Sequence, residues 1–163
     1  MAKLNILTFP DPRLRKVAAR VTVFDKSLEN LTSNMLETMY AENGIGLAAT
    51  QVDYHERIIV IDVSEDRNEP LIFINPEFKI LNDKSLLLFS EGGLSVPGVT
   101  EEITRPDNIF LTWQDITGQR HEDKPTGLLT VCIQHEIDHL EGKLMVDYLS
   151  PLKRDRIRKK ATK

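Results

Sequence analysis

An α+β fold is predicted, with antiparallel strands packed around one buried central helix and a further helix at the C-terminus. Three observations predict it. Short runs rich in Ile, Val and Leu are bounded by turn residues, as strands are. The segment from Thr126 to Gly142 is apolar nearly all round the 3.6-residue period, as a buried helix is. Strands and helices do not alternate regularly, which disfavours a parallel βαβ sheet. At 163 residues with 40% hydrophobic side chains, the chain suits one domain over 1–163 and is too short for two ordinary ones.

Taken in order, Asp25 and Ser27 can cap a helix reaching about Glu42. Leu28, Leu31, Met35 and Met39 recur on one face, and Asn43-Gly44 stops it. GIGLAATQ (Gly44 to Gln51) reads as a glycine-containing loop leading to RIIVIDV (Arg57 to Val63), a buried strand. LIFIN (Leu71 to Asn75), ended by Pro76, and LLLFS (Leu86 to Ser90) read as further strands. NIFLTWQD (Asn108 to Asp115) enters a hairpin through the DITG turn. KLMVDYL (Lys143 to Leu149) is expected to form a last strand. Ser150-Pro151 then supplies a cap and a first-turn proline for a C-terminal helix over 150–163.

Composition narrows the function classes. No low-complexity stretch or internal repeat is present, so the bulk of the chain is neither disordered nor fibrous. No segment approaches the roughly 20 apolar residues of a membrane span, and the first residues lack a signal-peptide core, so a cytoplasmic protein without a membrane partner is expected. Cys132 is a single cysteine and cannot form an intramolecular disulfide. Between Lys153 and Lys163 stand seven basic residues and one acidic residue, leaving 14 basic and 24 acidic ahead of them. A basic tail on an acidic body fits either a solvated helix or contact with a polyanion such as RNA.

The chemistry concentrates at HEIDH (His135 to His139), an H-E-x-x-H pattern. On a helix, residues i and i+4 share a face, so both imidazoles can hold one divalent ion while Glu136 reaches a water beside it. Random ordering of this composition would give the pattern only about 0.01 times. Sites of this kind usually take three protein ligands. No glutamate lies downstream of Glu141, so the thermolysin arrangement fits poorly, and Met145 stands where a metzincin carries its third histidine. The third ligand must come from upstream, from Cys132, or from water. Cys132 is seven residues from His139, about 10 Å along a helix axis, and its side chain is short. Glu91 has suitable chemistry as a substitute ligand.

GIGLAATQ, EGGLS (Glu91 to Ser95) and HEIDH, in this order, resemble the three motifs of the peptide deformylase family, G-Φ-G-Φ-A-A-x-Q, E-G-C-Φ-S and H-E-x-D-H, where Φ is apolar. PDPRLR (Pro10 to Arg15) and DYLSPLKRDRIRKK (Asp147 to Lys160) extend the likeness to bacterial members over essentially the whole chain. The resemblance implies a hydrolase that removes the N-formyl group from the initiator methionine of nascent chains. It implies His135 and His139 as metal ligands, Glu136 as general base, and Gln51 and the Leu94 N–H as donors to the developing oxyanion. Gly44, Ile45, Gly46, Glu91, Gly92, Leu128, Val131 and Cys132 would meet the substrate. The implied ion is iron(II), with zinc, nickel or cobalt as alternatives. The partners implied are a formyl-methionyl nascent peptide and, through the basic tail, the ribosome, with no role on DNA. One departure stands out: Gly93 occupies the position of the family's third ligand, a cysteine. Weak metal affinity is therefore expected, and a non-catalytic ribosome-associated protein on the same fold is the competing reading.

Overall fold

The computed structural model describes residues 2–162. Helix α1 (Lys26–Ala41) starts where the Asp25 carboxylate accepts a hydrogen bond from the Leu28 N–H. It ends where Asn43 turns left-handed at φ 57° and the Gly44 N–H donates to the Met39 carbonyl. The expected loop after it is partly ordered: β1 (Gly46–Ala48) is followed by a 3-10 turn, Ala49–Val52. Next come β2 (Ile58–Ile61), β3 (Leu71–Ile80), β4 (Leu86–Gly93), β5 (Val96–Pro106), β6 (Ile109–Gln114) and β7 (Arg120–Asp123). Helix α2 (Gly127–Leu140) carries HEIDH, and α3 (Pro151–Ala161) is capped by Ser150, whose hydroxyl accepts from the Lys153 N–H.

Among the described residues the named strands pair antiparallel, in a five-stranded sheet of order β1-β2-β3-β6-β7 and a separate β4-β5 pair. Strand β2 reads IIVI because it is buried on both faces. Alternate side chains point opposite ways, so Ile59 and Ile61 join Ile133, Ile137 and Leu140 of α2, while Ile58 and Val60 join Leu31, Met35 and Met39 of α1. A third cluster, including Phe9, Val96, Ile103 and Val146, lies where the N-terminal segment and the 3-10 turn after α2 meet β5.

Several sequence expectations are corrected. Pro76 does not end its strand: β3 continues to Ile80 with a register shift between Ile74 and Glu77, the irregularity that accommodates a residue lacking an N–H. Lys143 to Leu149 is not a strand. Met145–Tyr148 forms a 3-10 turn, with the Leu144 N–H donating to the Asp147 carboxylate, and Met145 and Val146 are buried by the chain's return rather than by pairing. Strand β5 was not anticipated, since Pro97, Gly98 and two consecutive glutamates hide its alternation.

Candidate metal centre and cavity

Helix α2 has five polar positions, Thr130, Gln134 to Glu136 and His139, buried among its apolar ones. Their placement follows from its contacts with β1, β2, β4 and β5. His135, Glu136 and His139 each present a donor atom, and the three atoms lie within 4.8 Å of one another. The two imidazole centroids are 5.2 Å apart. Among the described residues, neither Glu136 Oε1 nor His139 Nδ1 has a hydrogen-bond partner, although both are buried. Such orphaned atoms are uncommon in an interior and mark a place that needs a further group.

Charge at the cluster points the same way. Burial pushes the Glu136 carboxyl up to about 7, against the pull of His135 and Arg105. Burial drives His139 well below its ordinary value, and the adjacent His135 adds to the effect, leaving a neutral imidazole suited to ligation. Burial also opposes charge on His135, but the Glu136 carboxylate and the Glu91 hydrogen bond outweigh it and raise its pKa. A cation at the cluster would answer the same two carboxylates. The donor set therefore fits a divalent ion held by two imidazoles.

Neither substitute third ligand joins this cluster. Cys132 is buried, and desolvation followed by the Glu136 and Glu91 charges pushes its thiol up to about 12, unfavourable for a thiolate. Both Glu91 oxygens are engaged: Oε2 accepts from Arg105 Nε at 2.6 Å, and Oε1 accepts from Arg105 Nη2 at 2.9 Å and faces His135 Nδ1 at 3.0 Å. Glu91 holds the His135 ring in place, and with both oxygens engaged it stands outside the donor cluster, which corrects its candidacy as a substitute ligand. With Nδ1 so occupied, His135 turns Nε2 toward Gly93, where a Cβ built on the backbone would sit 3.4 Å from Nε2. The register shift between Gly92 and Gly93 aims the β4 backbone at this spot.

Of the residues singled out from sequence, all but His139 line one cavity of about 730 Å³. Ile45 and Leu128 stand half-exposed, and Val131 and Cys132 are buried. The cavity is bordered by the segment Gly44 to Gly46 on one side and Phe89 to Thr100 on the other. Gln51 is held at both ends: its Oε1 accepts from the Ala48 N–H at 2.8 Å and its Nε2 donates to the Ser95 hydroxyl at 3.0 Å. The N-terminal segment fixes the two turns relative to each other, with Leu7 N–H donating to the Gln51 carbonyl and Phe9 N–H to that of Ser95, each at 2.7 Å. Gly46 is required by the protein itself, since a Cβ there would lie 2.5 Å from Glu136 Oε2.

The polypeptide deformylase family model matches residues 3–155. The chain belongs to that family. The peptide deformylases of Cellvibrio japonicus and Pseudomonas aeruginosa are 57% and 56% identical over 163 residues, covering 100% of this chain and 96% of each relative. Among solved structures, the peptide deformylase of Legionella pneumophila superposes with a TM-score of 0.91 at 43% identity, over 99% of this chain and 94% of that one. That of Ehrlichia chaffeensis in complex with actinonin gives 0.94 at 39% identity, over 99% and 97%. Deformylase relatives along the full length favour the hydrolase over a non-catalytic binding protein.

Sequence reasoning missed the support beneath the deformylase motifs. Arg105, only 4% exposed at its side chain, binds Glu91 on one edge and Asp138 Oδ2 at 2.9 Å on another. The Tyr148 hydroxyl donates to the same Asp138 oxygen at 2.6 Å, and the guanidinium lies 4.9 Å from the Tyr148 ring centre. Ser95 orients Gln51 and was read only as part of a motif. Arg105 stands 14 residues from its Glu91 partner, a separation that carries no helical or strand period.

Proposed function

We propose that this chain is a peptide deformylase, a hydrolase that removes the N-formyl group from the initiator methionine of nascent polypeptides and releases formate. The observation that carries this reading is the grouping of His135, Glu136 and His139 at a cavity whose border includes Gly44 to Gly46, Gln51 and Leu94. His135 and His139 would hold one divalent ion, iron(II) by the family resemblance. When bound, such an ion acts as a Lewis acid that lowers the pKa of water from 15.7 toward about 7.

The chain's own residues supply the rest. A Glu136 carboxyl near 7 is matched to taking a proton from water and returning it at neutral pH. The oxygen of that water adds to the formyl carbon, the C–N bond breaks, the amine leaves with the proton from Glu136, and formate departs as the remaining water proton passes to the amine or to solvent. Gln51 Nε2 spends one hydrogen on Ser95 and keeps the other for the oxygen that becomes anionic, alongside the Leu94 N–H. Strand β1 is an edge strand of its sheet, so an extended peptide can add beside Gly44 to Gly46. Ile45, Leu128, Val131 and Cys132 offer an apolar recess of the kind a methionine side chain fills.

No residue of the basic helix α3 is buried; Lys153 pairs with Glu101 and Lys159 with Asp155 at its surface, and the helix as a whole presents its excess positive charge to solvent, where ribosomal RNA in the cytoplasm could meet it. No helix among the described residues is long and apolar enough to cross a membrane. The test of the activity is formate release from a formyl-methionyl peptide by the metal-loaded chain, beside the same peptide without the formyl group. Formate release with no peptide-bond cleavage is expected; cleavage of the unformylated peptide would overturn the reading in favour of a protease.

A further inference from the structure

Gly93 is the place where this chain departs from its family's motif, and the structure gives that departure a shape. Beyond its chain neighbours, a Cβ at Gly93 would meet only His135 Nε2 at 3.4 Å and Cε1 at 3.7 Å, both ordinary contact distances. The residue is not among those with a positive φ, so its backbone would accept a side chain. The missing side chain therefore leaves a notch that opens on the 730 Å³ cavity and faces the imidazole nitrogen not used by Glu91. Nothing among the described residues fills it. Glu91 is locked to Arg105 and His135, and Cys132 stands outside the donor cluster.

We propose that the Gly93 notch is a binding site for a small exogenous thiolate, which enters from the cavity and completes the coordination of an ion held by His135 and His139. The inference rests on the metal reading above. Sulfur is the favoured donor for three reasons. Thiolate adds a negative charge and a soft donor to a two-imidazole set, which strengthens binding of first-row ions. A sulfur ligand sits about 2.3 Å from such an ion, and the Cβ position at Gly93 has, beyond its chain neighbours, only the His135 ring within 4 Å, so the notch has room for a sulfur atom facing that ring. The alkyl part of a small thiol would lie toward Val131, Cys132 and Leu128, an apolar wall. In the binding step the thiol's proton passes to the bulk buffer, and the sulfur lone pair forms the bond to the ion. No oxidation or reduction takes place.

The probe is cobalt(II) with ethanethiol under anaerobic conditions, read by the sulfur-to-cobalt absorption band and by competition with a chelator. The unmodified chain is expected to gain the band on adding ethanethiol and to hold cobalt at least about tenfold more tightly. Gly93→Cys is expected to show the band without added thiol and no further response. Gly93→Ala, whose methyl group occupies the notch without a donor, is expected to show neither change. Cys132 is present in all three chains, so reaction at that thiol produces no difference among them. A thiol response in Gly93→Ala equal to that of the unmodified chain would overturn the proposal, as would no response in the unmodified chain while Gly93→Cys shows its band. Failure of Gly93→Cys to bind cobalt would overturn the metal reading itself.

Discussion

Replacing Arg105 with methionine should be among the most damaging single changes outside the donor cluster. The Arg105 and Glu91 side chains are 4% and 5% exposed, joined by bonds of 2.6 and 2.9 Å, and a third bond of 2.9 Å reaches Asp138 at 16%. Methionine keeps much of the volume and removes the charge, leaving the Glu91 carboxylate buried with only His135 beside it. Breaking a buried pair from one side costs about 3–5 kcal/mol. For a domain of this size, with about 2–4 °C per kcal/mol, the melting temperature should fall by roughly 6–20 °C. Adding Glu91→Leu to Arg105→Met should recover at least half of the loss, since the more deeply buried of the two stranded carboxylates is then gone and Asp138, at 16% exposure, keeps its bond from the Tyr148 hydroxyl. The assay is thermal unfolding of the three chains at matched metal content and neutral pH. A loss below about 1 kcal/mol for the single variant would refute the reasoning, because it would mean that Glu91 is solvated or already neutral.

Three further outcomes follow from particular contacts. Gly46→Ala should lower formate release by about 100-fold or more while the chain remains folded, because the added Cβ lies 2.5 Å from Glu136 Oε2 and displaces the proton-carrying group; parallel rate and circular dichroism measurements check it. Burial works to raise the pKa of Asp62, but hydrogen bonds from the Ser64 and Tyr40 hydroxyls and from the Ser64 and Glu69 N–H groups hold it down to about 2. A depressed carboxylate stabilises the fold above its unfolded pKa, and that contribution is lost as pH falls through about 2; Asp62→Asn should therefore lose stability at pH 7 and show a flatter acid limb in a pH series of unfolding midpoints. Changing Arg156, Arg158, Lys159 and Lys160 to glutamine should abolish salt-sensitive co-sedimentation with ribosomes at about 0.1 M salt, with free-peptide deformylation unchanged.

Sequence periodicity reveals the parts of this fold where one physical demand acts alone. Ile58 to Ile61 reads as buried because every residue is packed by α1 or α2. HEIDH reads as a site because four polar groups interrupt an apolar helix. The chain is less legible where demands mix. Strand β5 alternates between buried Ile103 and Arg105 and exposed Glu102 and Thr104, so its inward face carries a charge and breaks the apolar pattern. Met145 and Val146 look like strand residues because burial alone is written in their side chains, while the 3-10 turn depends on the Asp147 bond to the Leu144 N–H. The donor cluster was visible and its support was not. Glu91, Arg105, Asp138 and Tyr148 come from four elements of the chain, and only the folded contacts join them.

The most direct test of the account is the initial rate of formate release from a formyl-methionyl peptide by metal-loaded Gly93→Cys, compared with the same chain also carrying Glu136→Gln. The two histidines, the base and the oxyanion donors are predicted to work once the notch holds a sulfur donor. The Glu136→Gln change should then slow release by about 10²–10⁴-fold at equal metal content. No formate release from metal-loaded Gly93→Cys, or a rate unaffected by Glu136→Gln, would contradict the account.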